Sequence, residues 1–184
     1  SHEIVIERPP AVGSTPSDPR DKVAPSSTRK RVRSNAAPML KDAQGLDVAN
    51  ADDAAIRAVD HALEQWLGYG DELGRYIAFA HNAREVPLVQ MQAAVLNLSL
   101  ESPEGFAGAR PFIDAARTRE ADMTERERLW LGATAAWADG ALDRACELFE
   151  EISRRWPRDL FAGKTAQLLY LGRGDFEAML RLAD

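Results

Sequence analysis

The sequence predicts an all-α solenoid: a superhelix of antiparallel helical hairpins, about eight helices in all. Three observations carry this expectation. First, Gly140, Ala145, Phe149 and Pro157 set out a glycine, an alanine five on, an aromatic nine on and a proline seventeen on. Second, the pattern recurs with the period of a helix–turn–helix repeat. Gly174 follows Gly140 by 34 residues, and Gly70 and Pro87 are again seventeen apart with Phe79 between them. Third, apolar residues return every three or four positions from Asp52 onward, which puts them on one helix face. Each residue type has a physical task in a hairpin. Glycine ends one helix and permits the turn, alanine lets the next helix approach, the aromatic fills the gap, and proline stops the second helix.

Residues 1–45 show no helical periodicity. They hold six of the ten prolines, no aromatic residue, and eight basic against five acidic side chains, a net of +3. The other 139 residues carry 15 basic and 24 acidic side chains, a net of −9. The expected division is a weakly basic, Pro/Ser-rich tail or linker (1–45) and an acidic helical-repeat domain (46–184) that continues beyond the last residue. The tail buries too little apolar area to offset its ordering entropy, so it is expected to be dispensable for folding. Glu3-Ile-Val-Ile-Glu7 alternates weakly and suits a short strand or an extended peptide. Arg29-Lys-Arg-Val-Arg33 has the composition of a nucleic-acid patch, but an acidic body repels a phosphate backbone, so a solvated linker is the preferred reading.

The helices follow in order. Ile56, Val59, Leu63 and Trp66 mark the first, capped by Asp52 and stopped by Gly68-Tyr-Gly70. Leu73, Ile77, Ala80 and Ala83 mark a second that ends before Pro87. Leu88 to Leu100 is apolar on nearly every side, which predicts a buried central helix. Ser102-Pro103 opens a fourth, through Phe106, Ala109, Phe112 and Ala116, with Pro111 bending or splitting it. Thr124-Glu-Arg-Glu127 is a capping box that starts a fifth helix, through Trp130, Ala133 and Trp137 to Gly140. Leu142, Ala145, Phe149, Ile152 and Trp156 stripe a sixth; Leu160 to Leu171 forms a seventh; Phe176, Met179, Leu180 and Ala183 open an eighth. That last stripe has no polar capping helix after it, so the chain reads as a fragment or as one that associates through this end.

Longer blocks carry a family resemblance. Lys41-Asp-Ala-Gln-Gly45-Leu-Asp-Val48, Ala58-Val-Asp-His-Ala62-Leu with Gly68-Tyr69, Thr124-Glu-Arg-Glu-Arg128, Trp137-Ala-Asp-Gly140 and Trp156-Pro-Arg-Asp159 stand in order and at matching spacing over residues 40–184. They resemble the N-terminal part of the tetratricopeptide repeat protein thirty-eight family. The second helix departs from it, ending in Ala83-Arg-Glu-Val-Pro87. The resemblance implies a tetratricopeptide-like superhelix and supplies no catalytic residues.

Candidate chemistry is sparse. Cys146 is the only cysteine, which excludes an internal disulfide and a thiolate zinc site; a small buried thiol is the expectation. His61 and His81 stand twenty apart with no second ligand at helical spacing, so no metal and no cofactor is expected. The carboxylates Glu125, Glu127, Glu147, Glu150 and Glu151 read as a solvated helix surface with Arg126, Arg128, Arg154 and Arg155 as partners. Ile4-Val5-Ile6 is too short for a signal-peptide core and no stretch approaches a membrane span, so a cytoplasmic location without membrane contact is expected.

In a superhelix of this kind the first helix of each pair lines the concave wall. By register those positions are Trp130, Thr134 and Trp137 in one pair and Phe161, Lys164 and Leu168 in the next. Aromatics beside cations are the side chains that dominate recognition surfaces. These six are the groove candidates, with packing between hairpins as the competing reading for the tryptophans. The expected function is a non-catalytic module that binds a protein or peptide in its groove. The alternative is the helical scaffold of an enzyme whose catalytic residues lie in the groove or further along the chain.

Overall fold

A computed structural model describes residues 39–182. Within them a two-stranded hairpin, β1 (Leu40–Lys41) and β2 (Asp47–Val48), precedes eight helices: α1 (Asp53–Gly68), α2 (Leu73–Ala80), α3 (Pro87–Leu98), α4 (Pro103–Arg117), α5 (Glu125–Ala138), α6 (Leu142–Arg155), α7 (Leu160–Gly172) and α8 (Phe176–Arg181). A single 3-10 turn, Glu120–Asp122, lies between α4 and α5. The all-α class agrees with the periodicity. The tail segments Glu3–Glu7 and Arg29–Arg33, and Ala183 of the last stripe, fall outside the described residues.

Local sequence explains most helix boundaries. Asp52 accepts from Ala55 N at 2.8 Å at the start of α1, and Ser102 Oγ accepts from Gly105 N at 3.1 Å at the start of α4. Thr124 and Glu127 form the reciprocal box, Glu127 N donating to Thr124 Oγ1 at 3.1 Å and Thr124 N to Glu127 Oε2 at 2.8 Å. Pro87 and Pro103 occupy first-turn positions, where a missing N–H costs nothing. Pro111 neither ends nor divides α4; it sits on the exposed face of one continuous helix.

The core is built around α3, of whose twelve residues all but Asn97 are buried. Its two buried glutamines are satisfied. Gln90 Nε2 donates to Ala80 O and Ala83 O at 2.7 and 2.9 Å, closing the end of α2, and Gln92 Oε1 accepts the Tyr76 hydroxyl at 2.5 Å. Successive helices pack on one another, α3 on α4, α5 on α6, α6 on α7 and α7 on α8. Gly132 lets α5 and α6 approach: a Cβ there would stand 3.3 Å from Leu148 Cδ1. Ala145 and Cys146, beside this seam on α6, are buried. Helices also pack out of chain order: α3 on α5, and α1 against α7, far along the chain.

Three features differ from the sequence reading. The hairpin straddles the boundary expected after residue 45: Leu40 pairs with Val48 and Lys41 with Asp47, around a turn whose Gly45 has φ +77°. Asp42 holds that turn from inside, accepting from Leu46 N and Gln44 N, and burial raises its carboxyl above the usual range. Second, Arg126 and Glu127 are not surface partners. Arg126 is 4 % exposed and Glu127 fully buried, because the hairpin covers the first turn of α5. Third, the last stripe is uncovered only in part, because Met179 packs inward while Phe176 and Leu180 stay exposed as expected. Ala178 is buried and Leu182 also packs on the core.

Candidate functional site

Two constellations stand out, one buried and one open. The buried one joins the first turns of α5 and α7. Arg126 Nη1 meets Asp159 Oδ2 at 2.6 Å, and the indole N–H of Trp130 donates to the same oxygen at 2.9 Å. The other Asp159 oxygen caps α7 by accepting from Ala162 N at 3.1 Å, while Arg126 Nη2 donates to Asp47 O of the hairpin at 2.9 Å. Beside this, Glu127 Oε1 accepts from Ala49 N at 3.0 Å, and the Gln44 amide bridges to Arg158 O and Leu160 N at 2.6 and 3.3 Å. Three sequence blocks, Lys41–Val48, Thr124–Arg128 and Trp156–Asp159, thus meet in one place. Every carboxylate oxygen of Asp159 and Glu127 is engaged, so the cluster ties elements together and offers no free acid or base.

The open constellation is a cleft of about 990 Å³ between the C-terminal ends of α1 and α6 and the faces of α7 and α8. Its apolar lining includes Trp66, Leu160, Leu168 and Leu171, of which Leu160 and Leu171 are half exposed. Lys164 rises from α7 in the middle of it. Its ammonium donates to Trp66 O and to Leu67 O and lies 3.5 Å from the centre of the Tyr69 ring. Helix α1 has no basic residue in its own last turn, so Lys164 supplies the positive charge that its free carbonyls and dipole favour.

Tyr69, at the lip of the cleft, is unusual in two respects. It ends α1 at φ +54°, a left-handed conformation that strains a residue with a Cβ, and it is 87 % exposed. At Gly70 a Cβ would fall 1.9 Å from Gln65 Oε1, so a larger residue there would displace the Gln65 side chain from its hydrogen bond with Glu72 N. Trp66, one turn earlier, stacks on Phe161 with ring centres 5.3 Å apart. Its buried indole N–H has no acceptor among the described residues, an unmet donor of the kind that costs about 1–3 kcal/mol.

The six groove candidates divide. Trp130, Thr134, Trp137 and Phe161 are buried; Lys164 and Leu168 line the cleft. For Phe161 and Trp130 the reason lies in aromatic packing that includes the α1–α7 contact. Trp66 covers Phe161, and Trp130 is held edge-on by Phe149 and Phe161 at 5.2 and 5.7 Å, so the wall expected to face a ligand is occupied by the protein itself. Thr134 returns its hydroxyl to Trp130 O within α5. The sequence reading gave no site role to Tyr69, Leu171, Arg154 or Arg181, all on the cleft. It expected Arg154 to pair with a carboxylate on the helix surface, and among the described residues Arg154 forms no ion pair. Helical spacing signals which residues face inward, whereas these are outward positions brought together by tertiary packing.

Among the described residues no group of three or more His, Cys, Asp or Glu is placed to hold a metal ion, and no helix is long and apolar enough to cross a membrane. His61 hydrogen-bonds Glu72 at 3.0 Å instead, tying α1 to the start of α2. Cys146 is buried with its thiol 3.9 Å from Arg173 Nη1, and burial raises its pKa, the opposite of what a nucleophile needs. No family model, curated protein or solved structure matches the chain.

Proposed function

We propose that the helical body is a non-catalytic binding module and that it holds a peptide segment of a partner protein in the cleft between α1, α6, α7 and α8. The observation that carries this reading is the cleft itself: about 990 Å³, apolar in lining, with half-exposed leucines and a strained, exposed tyrosine at its edges. Soluble domains leave such contiguous apolar surface open chiefly where something binds. In the same reading the hairpins form a tetratricopeptide-like superhelix. The sequential packing of α3 to α8 supports this, and the α1–α7 contact moves the binding surface from the concave wall to the cleft. Kinship with the tetratricopeptide repeat protein thirty-eight family is part of the proposal. It draws support from the meeting of three of its resembling blocks around Asp159.

The test is capture of partners by the full chain, run side by side with Leu171→Glu in the cleft and Leu142→Glu at the far end of α6. Both positions are exposed, so both variants are expected to fold. A partner held by the unmodified chain and by Leu142→Glu, and lost from Leu171→Glu, supports the cleft as the site. Partners that survive Leu171→Glu sink it.

A further inference from the structure

We infer that the segment taken by the cleft is acidic and amphipathic, its apolar side on Trp66, Leu168 and Leu171 and its carboxylates on Arg154 and Arg181. This rests on the reading of the cleft as a peptide site and adds the chemistry of the peptide. The sign of charge is the first argument. Residues 46–184 carry 15 basic and 24 acidic side chains, yet the rim of the cleft is cationic. Helix α6 shows the contrast on one element. Arg144 pairs with Glu147, and Arg155 with Glu151 and Glu125, whereas Arg154, on the cleft, makes no ion pair among the described residues. Arg181, on α8 across the cleft, makes none there either.

Neither carboxylate on the cleft wall forms an ion pair with these arginines. Asp159 is held by Arg126 and the Trp130 indole, and Glu150 accepts the Tyr170 hydroxyl at 2.5 Å. Lys164 adds positive potential but no free donor, since its ammonium is taken by two carbonyls and a ring face. What remains for a ligand among the described residues is two exposed guanidinium groups over an apolar floor. Glu150 keeps its charge beside them, so the lining sets three cations against two carboxylates, of which Asp159 is already offset by Arg126. A guanidinium fork matches a carboxylate in plane and in charge. A small inorganic anion would use the arginines and leave the leucines wet; a purely apolar helix would do the reverse. An acidic amphipathic segment uses both. Tyr69 contributes an aromatic face at the lip, on the residue class that most often anchors such contacts.

The experiment is selection of a random displayed peptide library on the full chain, with counter-selection on the full-length Leu171→Asp variant. Enriched sequences are synthesised with a fluorescein label and titrated by anisotropy against the unmodified chain and against Arg154→Glu/Arg181→Glu, whose fold is checked by far-ultraviolet circular dichroism. The expected result is peptides with interleaved leucine-like and Asp/Glu residues that bind the charge-reversed chain about tenfold more weakly. Their affinity also falls with added salt. Cleft-dependent peptides that are neutral or basic, or acidic ones indifferent to the charge reversal, overturn the acidic assignment and leave the peptide site standing. Failure to enrich any peptide that depends on Leu171 overturns the site and this inference together. Dimers of the unmodified chain in sedimentation velocity that Leu171→Asp dissociates identify a second copy as the occupant, which also overturns it.

Discussion

Asp159 faces three donors with one side chain: a guanidinium, an indole N–H and the backbone N–H that opens α7. A buried pair of this kind costs most when one member is removed, because the other charge is stranded. The two members are not equivalent, however. Without Arg126 the carboxylate keeps two donors, whereas without Asp159 the guanidinium keeps only Asp47 O. Asp159→Ala is therefore expected to lose about 3–5 kcal/mol in urea melts, and Arg126→Met distinctly less. The reverse order would remove Asp159 from the centre of the network. At Tyr69 the backbone can be separated from the ring by comparing two truncations. Tyr69→Gly and Tyr69→Ala both lose the ring over Lys164, but only glycine relieves the left-handed conformation. Glycine is expected to be the more stable of the two by about 1 kcal/mol. Equal melting of the pair would place the helix end elsewhere.

Among elements, the helices were readable because each carries its own signals. Asp52, Ser102 and the Thr124–Glu127 box announce starts, Gly140 takes φ +77° where a stop was expected, and the stripe of α6 buries Ala145, Phe149 and Ile152. The hairpin was not readable, since two-residue strands have no period to detect. The six candidates show where the rest of the information lies. Trp130 and Phe161 face inward in either arrangement, and only the position of Trp66, far off in sequence, decides whether a ligand or the protein covers them. Arg126 misled for the same reason: its partner is 33 residues away rather than one helical turn. The α5–α6 seam gives a direct test of the element packing. Ala145 is fully buried, so Ala145→Leu is expected to cost about 1–3 kcal/mol by overpacking. Glu147→Gln touches only an exposed pair with Arg144 and is expected to be nearly silent. Equal urea midpoints for the two would contradict this packing.

At the scale of the whole molecule, the hairpin is the element whose removal reaches furthest. Val48 is fully buried, Asp47 O receives Arg126, and Ala49 N supplies Glu127. Deleting residues 1–49 is expected to lower the thermal midpoint by on the order of 10 °C relative to deletion of 1–38, the equivalent of several kcal/mol in a body of this size. Indistinguishable midpoints would mean that the hairpin is an ornament on an independently stable bundle.

The meeting of α1 with α7 also bears on how quickly the protein acquires and loses its structure. Lys164 reaches Trp66 O across 98 residues and Gln44 reaches Arg158 O across 114, whereas the hairpins between them need only local chain closure. Loops of that length close late, after the local pairs have already formed, so this seam is expected to be absent from the folding transition state. Trp66→Leu should then leave the refolding limb of a chevron plot almost unmoved and raise the unfolding limb by nearly the whole loss in stability. The seam would act as a latch: closed last, opened first, and setting the lifetime of the native state rather than the speed of reaching it.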